Sequence, residues 1–419
     1  MTITPQPSGR LRILQVSTQF PFPPRSGFEM RVYQLARQLA SRHDLTLLSF
    51  VDPGRQHDVD ALREQMGVEV VPWNRPSSGS KRAAQLLSLA SRRPFASRAV
   101  QSGPLQRALD ELCAAQTFDV IQLESSVLCG LRLPEGTPVL LDEHNIEYEV
   151  FKRVWESERS PLRRFFNRLE YKRFRRHEER WWGRVDAIAL TSDREEPVVR
   201  ERAPETPIAV VPNGVDLEYF RPRDERPNPD TVVFNGVLDY RPNVDAAHHL
   251  VDEIWPLVLR RRPQARLLIV GRGDEAERER LRRPGVEPTG EVPDVRPYLA
   301  GASVVIVPIR MGGGTRLKVV EALSMAKPMV STTLGCEGVN VRHGEHLLVA
   351  DGPEAFAGAV TQLLEDQWLA AELGRAGRRR MEEEYSWELA GERLERLYER
   401  MLGRDADLGS PTSIAAGAA

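Results

Sequence analysis

The 419 residues are too many for one ordinary hydrophobic core and set the expectation of about two domains with room for a cleft. The 58 Lys and Arg nearly balance 60 Asp and Glu, a formal net charge of -2 that excludes the global basicity of a nucleic-acid binder. Cys113, Cys129 and Cys336 are odd in number and scattered, which excludes a disulfide framework and a C-x-x-C zinc site, and no run approaches the roughly 18 apolar residues of a membrane span.

In chain order, MTITPQPSGRLR carries no apolar leader core, so a cytoplasmic chain is expected. LRILQVS (11–17), DLTLLSFV (44–51), FDVIQLE (118–124), TPVLLDE (137–143), VDAIALTS (185–192) and PIAVVPN (207–213) read as buried strands with helical segments between them. After the first strand, FPFPPRSGFEMRVYQLARQLA (20–40) enters a helix at about Phe28, with Gly27 in the βα turn before it. LLDEHNIEYEVF (140–151) follows a strand and presents His144, whose ordinary pKa near neutrality suits hydrogen bonding or proton transfer. Asp142, Glu143, His144 and Glu147 are an alternative metal-ligand set, disfavoured because successive strand residues face opposite ways.

From Lys152 to Arg184 there are 12 Lys and Arg against 5 Glu, with Phe165, Phe166, Tyr171, Phe174, Trp181 and Trp182 interleaved. Such a run reads as a solvated helix with its aromatics inside; the sharper reading is a face for an anionic membrane. Nucleic-acid binding is the weaker alternative. FRPRDERPNPD (220–230) reads as a hinge, after which strands restart at TVVFNGV (231–237), ARLLIVG (265–271), ASVVIVP (302–308) and KPMVSTT (327–333). Two such runs imply two doubly wound parallel sheets, an α/β architecture that binds ligands beyond the carboxyl ends of its strands. SWELAGERLERLYERML (386–402) is amphipathic and free either to pack on the second sheet or to cross back to the first; the tail after it is expected to lack order.

MGGGTRLKVVEALSMAKP (311–328) joins the strand ending at Pro308 to a helix starting near Leu317. Glycines, a helix amino terminus and the cations Arg316 and Lys318 together suit an anion, and a planar fork beside a point charge suits a diphosphate. Glu321, one turn after Lys318, suits a ribose diol. Both cations are expected to face the cleft. LLIVGRGDEAE (267–277), with Glu291 beyond it, satisfies a dinucleotide fingerprint on paper, but as a lone match it supports an NAD-dependent enzyme only weakly.

VVPNGVDLEYFRP (210–222), VFNGVLDYRPNVDA (233–246), VVIVPIRMGGGTRLKVVEALSMAKPMVSTTLGCEGV (304–339) and YSWE (385–388) resemble, in this order, the glycosyltransferases of family 4. The resemblance implies the GT-B fold: two Rossmann-like domains facing across a cleft, with a last helix returning to the first. It divides the chain into an acceptor-side domain (1–213), a donor domain (214–385), the returning helix (386–404) and a disordered tail (405–419). It implies transfer of a sugar from a nucleoside diphosphate sugar to a glycan, lipid-linked or small-molecule acceptor, with retention of anomeric configuration and no required cofactor or metal. A cytoplasmic enzyme touching the inner face of an anionic membrane, without a nucleic-acid partner, fits that reading; a non-catalytic binding relative is the alternative.

Carried over by position, the resemblance assigns His144, Arg316 and Lys318 to catalysis. Gly27, Gly236, Val292, Gly313, Gly314, Thr315, Arg316, Lys318 and Glu321 are assigned to the donor. Glu321 is the second glutamate of the family's E-x7-E motif, whereas the first position is Gly313, a departure that bears on sugar recognition. The family's usual Arg and Lys after the VVFNG strand are Val237 and Asn243 here, so Arg316 and Lys318 are read as a relocated clamp.

Overall fold

The computed structural model describes residues 9–73, 91, 93–100, 103–158, 160–225 and 227–404; the tail 405–419 lies outside the described residues. Strands β1 (Arg12–Ser17), β2 (Asp44–Phe50), β3 (Glu69–Trp73), β4 (Val120–Leu123), β5 (Val139–Glu143), β6 (Ala187–Leu190) and β7 (Ile208–Val210) form one sheet in the order β3-β2-β1-β4-β5-β6-β7. β8 (Thr231–Asn235), β9 (Arg266–Val270), β10 (Val286–Gly290), β11 (Val304–Val307), β12 (Met329–Ser331) and β13 (Leu348–Val349) form a second in the order β10-β9-β8-β11-β12-β13. Every neighbouring pair is parallel. Helices cover both faces of a parallel sheet, so its strands are continuous apolar runs such as the fully buried VVIV of β11.

In each sheet the chain winds outward one way and then returns to wind the other way, between β1 and β4 in the first and between β8 and β11 in the second. Loops diverge at those switch points and leave crevices beyond the strand ends. All ten strands expected from the sequence form. Three further strands escape pattern reading because edge strands need no continuous apolar run: β3 (EVVPW) and β10 (VEPTG) carry proline, and β13 is two residues long.

The helices that build the site are α1 (Gly27–Ala40), α2 (Glu147–Ser157), α3 (Pro161–Trp182), α4 (Arg241–His249), α5 (Leu317–Ser324) and α6 (Trp387–Met401). The first begins with a capping box: Ser26 accepts from the Glu29 amide while Glu29 accepts from the Ser26 amide.

The Pro-rich stretch 220–230, expected as the hinge, is fastened to the second lobe. Arg262 grips Asp230 and Arg296 lies over the Tyr219 ring. The chain passes between lobes earlier, where Val215 bridges to Ser386 and a side chain on Gly214 would run into the Trp387 amide. From there α6 returns to the first lobe. Trp387, Ala390, Leu394, Leu397 and Tyr398 join the core beneath β1 and α1, and Gly391 lets the helix lie close against Gln38.

Candidate active site

Beyond β11 the loop 308–316 leads into α5, which starts at Leu317 as expected. Arg316, the residue before the helix, is buried and turns its guanidinium back onto its own loop, donating from Nη1 to the Gly313 carbonyl at 2.8 Å and from Nη2 to that of Met311 at 3.4 Å. Its Nε is buried with no partner among the described residues. Burial lowers its proton affinity, against the opposing influence of Tyr240 and Glu337.

Lys318 takes a different course. Its ammonium crosses the crevice to the end of β8, donating to the Asn235 carbonyl at 2.6 Å and Asn243 Oδ1 at 2.9 Å, 4.7 Å from the centre of the Phe234 ring. Gly236 makes this possible, since a Cβ there would lie 2.7 Å from Nζ. Asn243, a position where the family resemblance implies a lysine, thus holds the ammonium of Lys318 instead. Burial, reinforced by Arg316, draws the Lys318 pKa down to about 7; burial pushes Glu321, one turn along α5, up to about 7 against the pull of Lys318.

On the facing lobe, His144 follows β5. Its Nε2 lies 3.0 Å from Glu124 Oε2 and 3.4 Å from Asp142 Oδ2, and its ring packs on Phe28 with centroids 4.5 Å apart. Burial disfavours the imidazolium, but Asp142 and Glu124 outweigh it and raise the pKa to about 9. Arg31 grips both oxygens of Asp142, at 2.9 and 2.6 Å, and reaches the Val211 carbonyl and Asn213 near the lobe crossing. Glu124 Oε1 accepts from Gln15 at 2.6 Å and from Gln122 at 2.5 Å, and Gln122 accepts from Tyr398 on the returning helix.

The metal alternative drawn from the sequence does not assemble. Glu143 faces the other side of β5, where Trp182 Nε1 donates to it at 3.0 Å. Glu124, Asp142 and His144 do converge, with possible ligand atoms within 4.8 Å of one another. Their acceptor atoms are already engaged by Arg31, Gln15 and Gln122, so this donor set fits a resident guanidinium and an imidazolium rather than a metal ion.

Sequence reasoning missed Glu124, Gln15, Gln122, Arg31 and Tyr398. The available signal was polar residues at or near the carboxyl ends of apolar strands, Gln15 in RILQVS and Gln122 and Glu124 in VIQLE.

The lobes meet over the glycine loop. Arg153 of α2 donates to the Gly312 carbonyl at 2.7 Å and pairs with both oxygens of Glu337, at 2.7 and 2.8 Å. A Cβ on Gly313 would lie 3.0 Å from Val150, and one on Gly314 would collide with Asn145, the neighbour of His144. Gly314 also adopts a φ of 78°. Glycine at 313 therefore matches the space left by α2: a glutamate there would have to displace Val150. Gly27 faces Leu317 from the first lobe, and Thr315 Oγ1 is buried beside Gly338 with no partner among the described residues. Val292 stands apart from these, just after edge strand β10.

Residues 25–219 match the family model for Glycosyltransferase Family 4, and residues 229–366 match that for Glycosyl transferases group 1. The chain belongs to glycosyltransferase family 4. This family 4 member is 29% identical over 207 residues to a GDP-mannose-dependent monoacylated alpha-(1-6)-phosphatidylinositol monomannoside mannosyltransferase of Corynebacterium glutamicum, covering 44% of the chain and 54% of that protein. It is 30% identical over 224 residues to a phosphatidyl-myo-inositol mannosyltransferase of Mycobacterium tuberculosis, covering 47% of the chain and 55% of that protein. The chain thus spans about half the length of these curated relatives.

Among solved structures, HepE of Anabaena in complex with UDP superposes with a TM-score of 0.66 at 15% identity, over 93% of this chain and 100% of that one. Sucrose-phosphate synthase of Thermosynechococcus elongatus superposes with 0.69 at 19% identity, over 94% and 100%. These likenesses establish the GT-B fold, two Rossmann-like lobes with the last helix on the first.

Proposed function

We propose that this family 4 glycosyltransferase transfers a sugar from a nucleoside diphosphate sugar to a glycan or lipid-linked acceptor, retaining anomeric configuration, at the inner face of a membrane. The observation that carries the reading is Lys318. A cation lies across the β8/β11 switch point, at the amino terminus of α5, with a depressed pKa and a glycine loop beside it. A ligand that repays the burial of such a charge is an anion with exposed oxygens. The relatives, one GDP-mannose-dependent and one solved with UDP, support a nucleoside diphosphate.

In this reading the helix amino terminus, Lys318 and Arg316 receive the charge that grows on the diphosphate as the glycosidic bond to it breaks. Being fixed before the reaction, the helix amino terminus and Lys318 stabilise that developing charge more than the ground state. For Arg316 this requires its guanidinium to leave the Gly313 and Met311 carbonyls and face the diphosphate. Glu321 accepts from the ribose hydroxyls. His144, held as an imidazolium by Glu124 and Asp142, donates a hydrogen bond rather than removing a proton.

The deciding experiment is a thermal-shift screen with UDP, GDP, ADP and TDP sugars, followed by NMR assignment of the anomeric product with the donor that shifts the midpoint. One donor class is expected to stabilise the fold and to be consumed; no shift and no turnover with all four classes would remove the proposal.

A further inference from the structure

We propose that the hairpin of α2 and α3 docks the enzyme on an anionic lipid bilayer, with Leu162 and Phe165 entering the headgroup layer and a row of cations lying along the surface. The proposal rests on the glycosyltransferase reading only for why docking is useful; docking itself is measured without turnover.

In the first turn of α3, Leu162 is 84% exposed and Phe165 65% exposed. A single exposed leucine is ordinary, but these two are the start of a face. Residues 162, 165, 168, 172 and 176 follow at steps of three and four, which keeps them on one side of a helix, and all five are exposed: Leu162, Phe165, Arg168, Lys172 and Arg176. Exposed Arg163, Arg164 and Arg180 flank them. The whole stripe from 162 to 176 runs about 21 Å.

The helix separates its charges. Glu170 is buried, accepting from Arg173 and from the Phe95 amide, and Glu178 is buried, accepting from Ser126 Oγ and the amides of Glu147 and Tyr148. Two of the three α3 acids have thus been turned inward; the third, Glu179, pairs with Arg175 at 2.8 Å, and on α2 Glu156 stays exposed. Among the described residues Arg163, Arg164, Lys172 and Arg176 enter no ion pair. A surface that keeps its cations unpaired and adds two apolar side chains at one end complements lipid headgroups with acyl chains beneath them.

Nucleic acid is the poorer match, because stacking on bases needs outward aromatics. Phe174 and Trp182 are buried, Phe166, Tyr171 and Trp181 are half-buried, and Phe165 alone of the α3 aromatics is exposed. The hairpin is also stiff enough to anchor a lobe: Phe151 stacks on Phe174 with centroids 4.9 Å apart, and Trp155 on Tyr171 at 5.8 Å. Arg153, which touches the glycine loop, is four residues, about 6 Å, from the end of α2. A bilayer at the tip therefore lies beside the mouth of the cleft, where a lipid-linked acceptor enters.

The test is co-sedimentation of the full chain with vesicles of phosphatidylcholine alone and of phosphatidylcholine mixed with phosphatidylglycerol, at low and moderate salt. Binding is expected to the anionic vesicles, to weaken with salt, and to be absent with neutral ones. Each basic residue near such a surface contributes about a fivefold factor. Arg164→Glu with Lys172→Glu is thus expected to lower binding at least about 25-fold, and Leu162→Ser with Phe165→Ser to release the protein at lower salt. Both variants should keep the wild-type melting midpoint, since all four side chains are exposed. Wild-type protein that stays in the supernatant, or variants that sediment like wild type, would overturn docking, as would salt-sensitive binding of nucleic acid without vesicle binding. Vesicle binding with no turnover on any donor would instead count against the glycosyltransferase reading and leave docking standing.

Discussion

Nε2 of His144 lies 3.0 Å from Oε2 of Glu124, a carboxylate with no exposure to solvent. Burial works against the imidazolium, but Asp142, with Glu124 beside it, raises the histidine pKa from 6.5 to about 9. A folded-state pKa above the unfolded one stabilises the protein fully below 6.5, and that contribution disappears as pH rises through about 9. The shift corresponds to about 3 kcal/mol. Denaturant unfolding of the wild type is expected to show this loss, and His144→Gln to flatten the same window. Glu124→Gln should lower the imidazole pKa seen by NMR; an unmoved titration would detach Glu124 from the histidine.

Arg31 and Asp142 form a bidentate pair at 2.9 and 2.6 Å with both side chains essentially unexposed. Removing the cation leaves a buried charge beside His144. Arg31→Met is expected to cost about 3–5 kcal/mol in urea unfolding. Arg31→Met combined with Asp142→Asn should recover part of that loss, because no uncompensated anion remains. A single substitution with less than about 1 kcal/mol effect would show that Asp142 is satisfied elsewhere.

The two sheets and the positions of their crevices were legible in the sequence because parallel strands under helices are unbroken apolar runs. So were the start of α1 near Phe28 and of α5 at Leu317. What could not be read is which polar residues the fold brings together. Gln122 meets Tyr398 across 276 residues of chain, and Glu124 meets His144 only because β4 and β5 are neighbours. The inward turn of Arg316 depends on the loop carbonyls of Met311 and Gly313, which no side-chain pattern encodes.

Lys318 carries a second pH signature. With a pKa near 7 the free enzyme holds it only partly charged at neutrality, while a diphosphate favours the protonated form. Nucleoside diphosphate binding is therefore expected to take up protons, read by calorimetry in buffers of different ionisation enthalpy, and to weaken as pH rises through about 7. Lys318→Met should abolish the uptake and cut turnover about 100- to 1000-fold without lowering the melting midpoint. A variant that still takes up protons would place the linkage on another group, Glu321 being the nearest titrating at about 7.

Arg153 and Glu337 latch the lobes directly over the glycine loop, with side chains 28% and 21% exposed. A partly solvated pair contributes little to global stability, under about 1 kcal/mol, but it lies where only the closed arrangement is stabilised. Arg153→Ala is expected to leave the melting midpoint within a few degrees of wild type while lowering turnover several-fold and increasing the radius of gyration in solution scattering. Exchanging the charges, Arg153→Glu with Glu337→Arg, should restore part of the closure, since the pair survives in reverse. Gly314→Ala attacks the same contact from the other side: it adds a Cβ against Asn145 at a φ of 78°, which costs an alanine about 1–2 kcal/mol. The clash with Asn145, which opening relieves, should appear as an opened cleft, while the φ strain remains in either arrangement. If scattering and turnover of Arg153→Ala and Gly314→Ala both match wild type, closure over the glycine loop does not control the reaction.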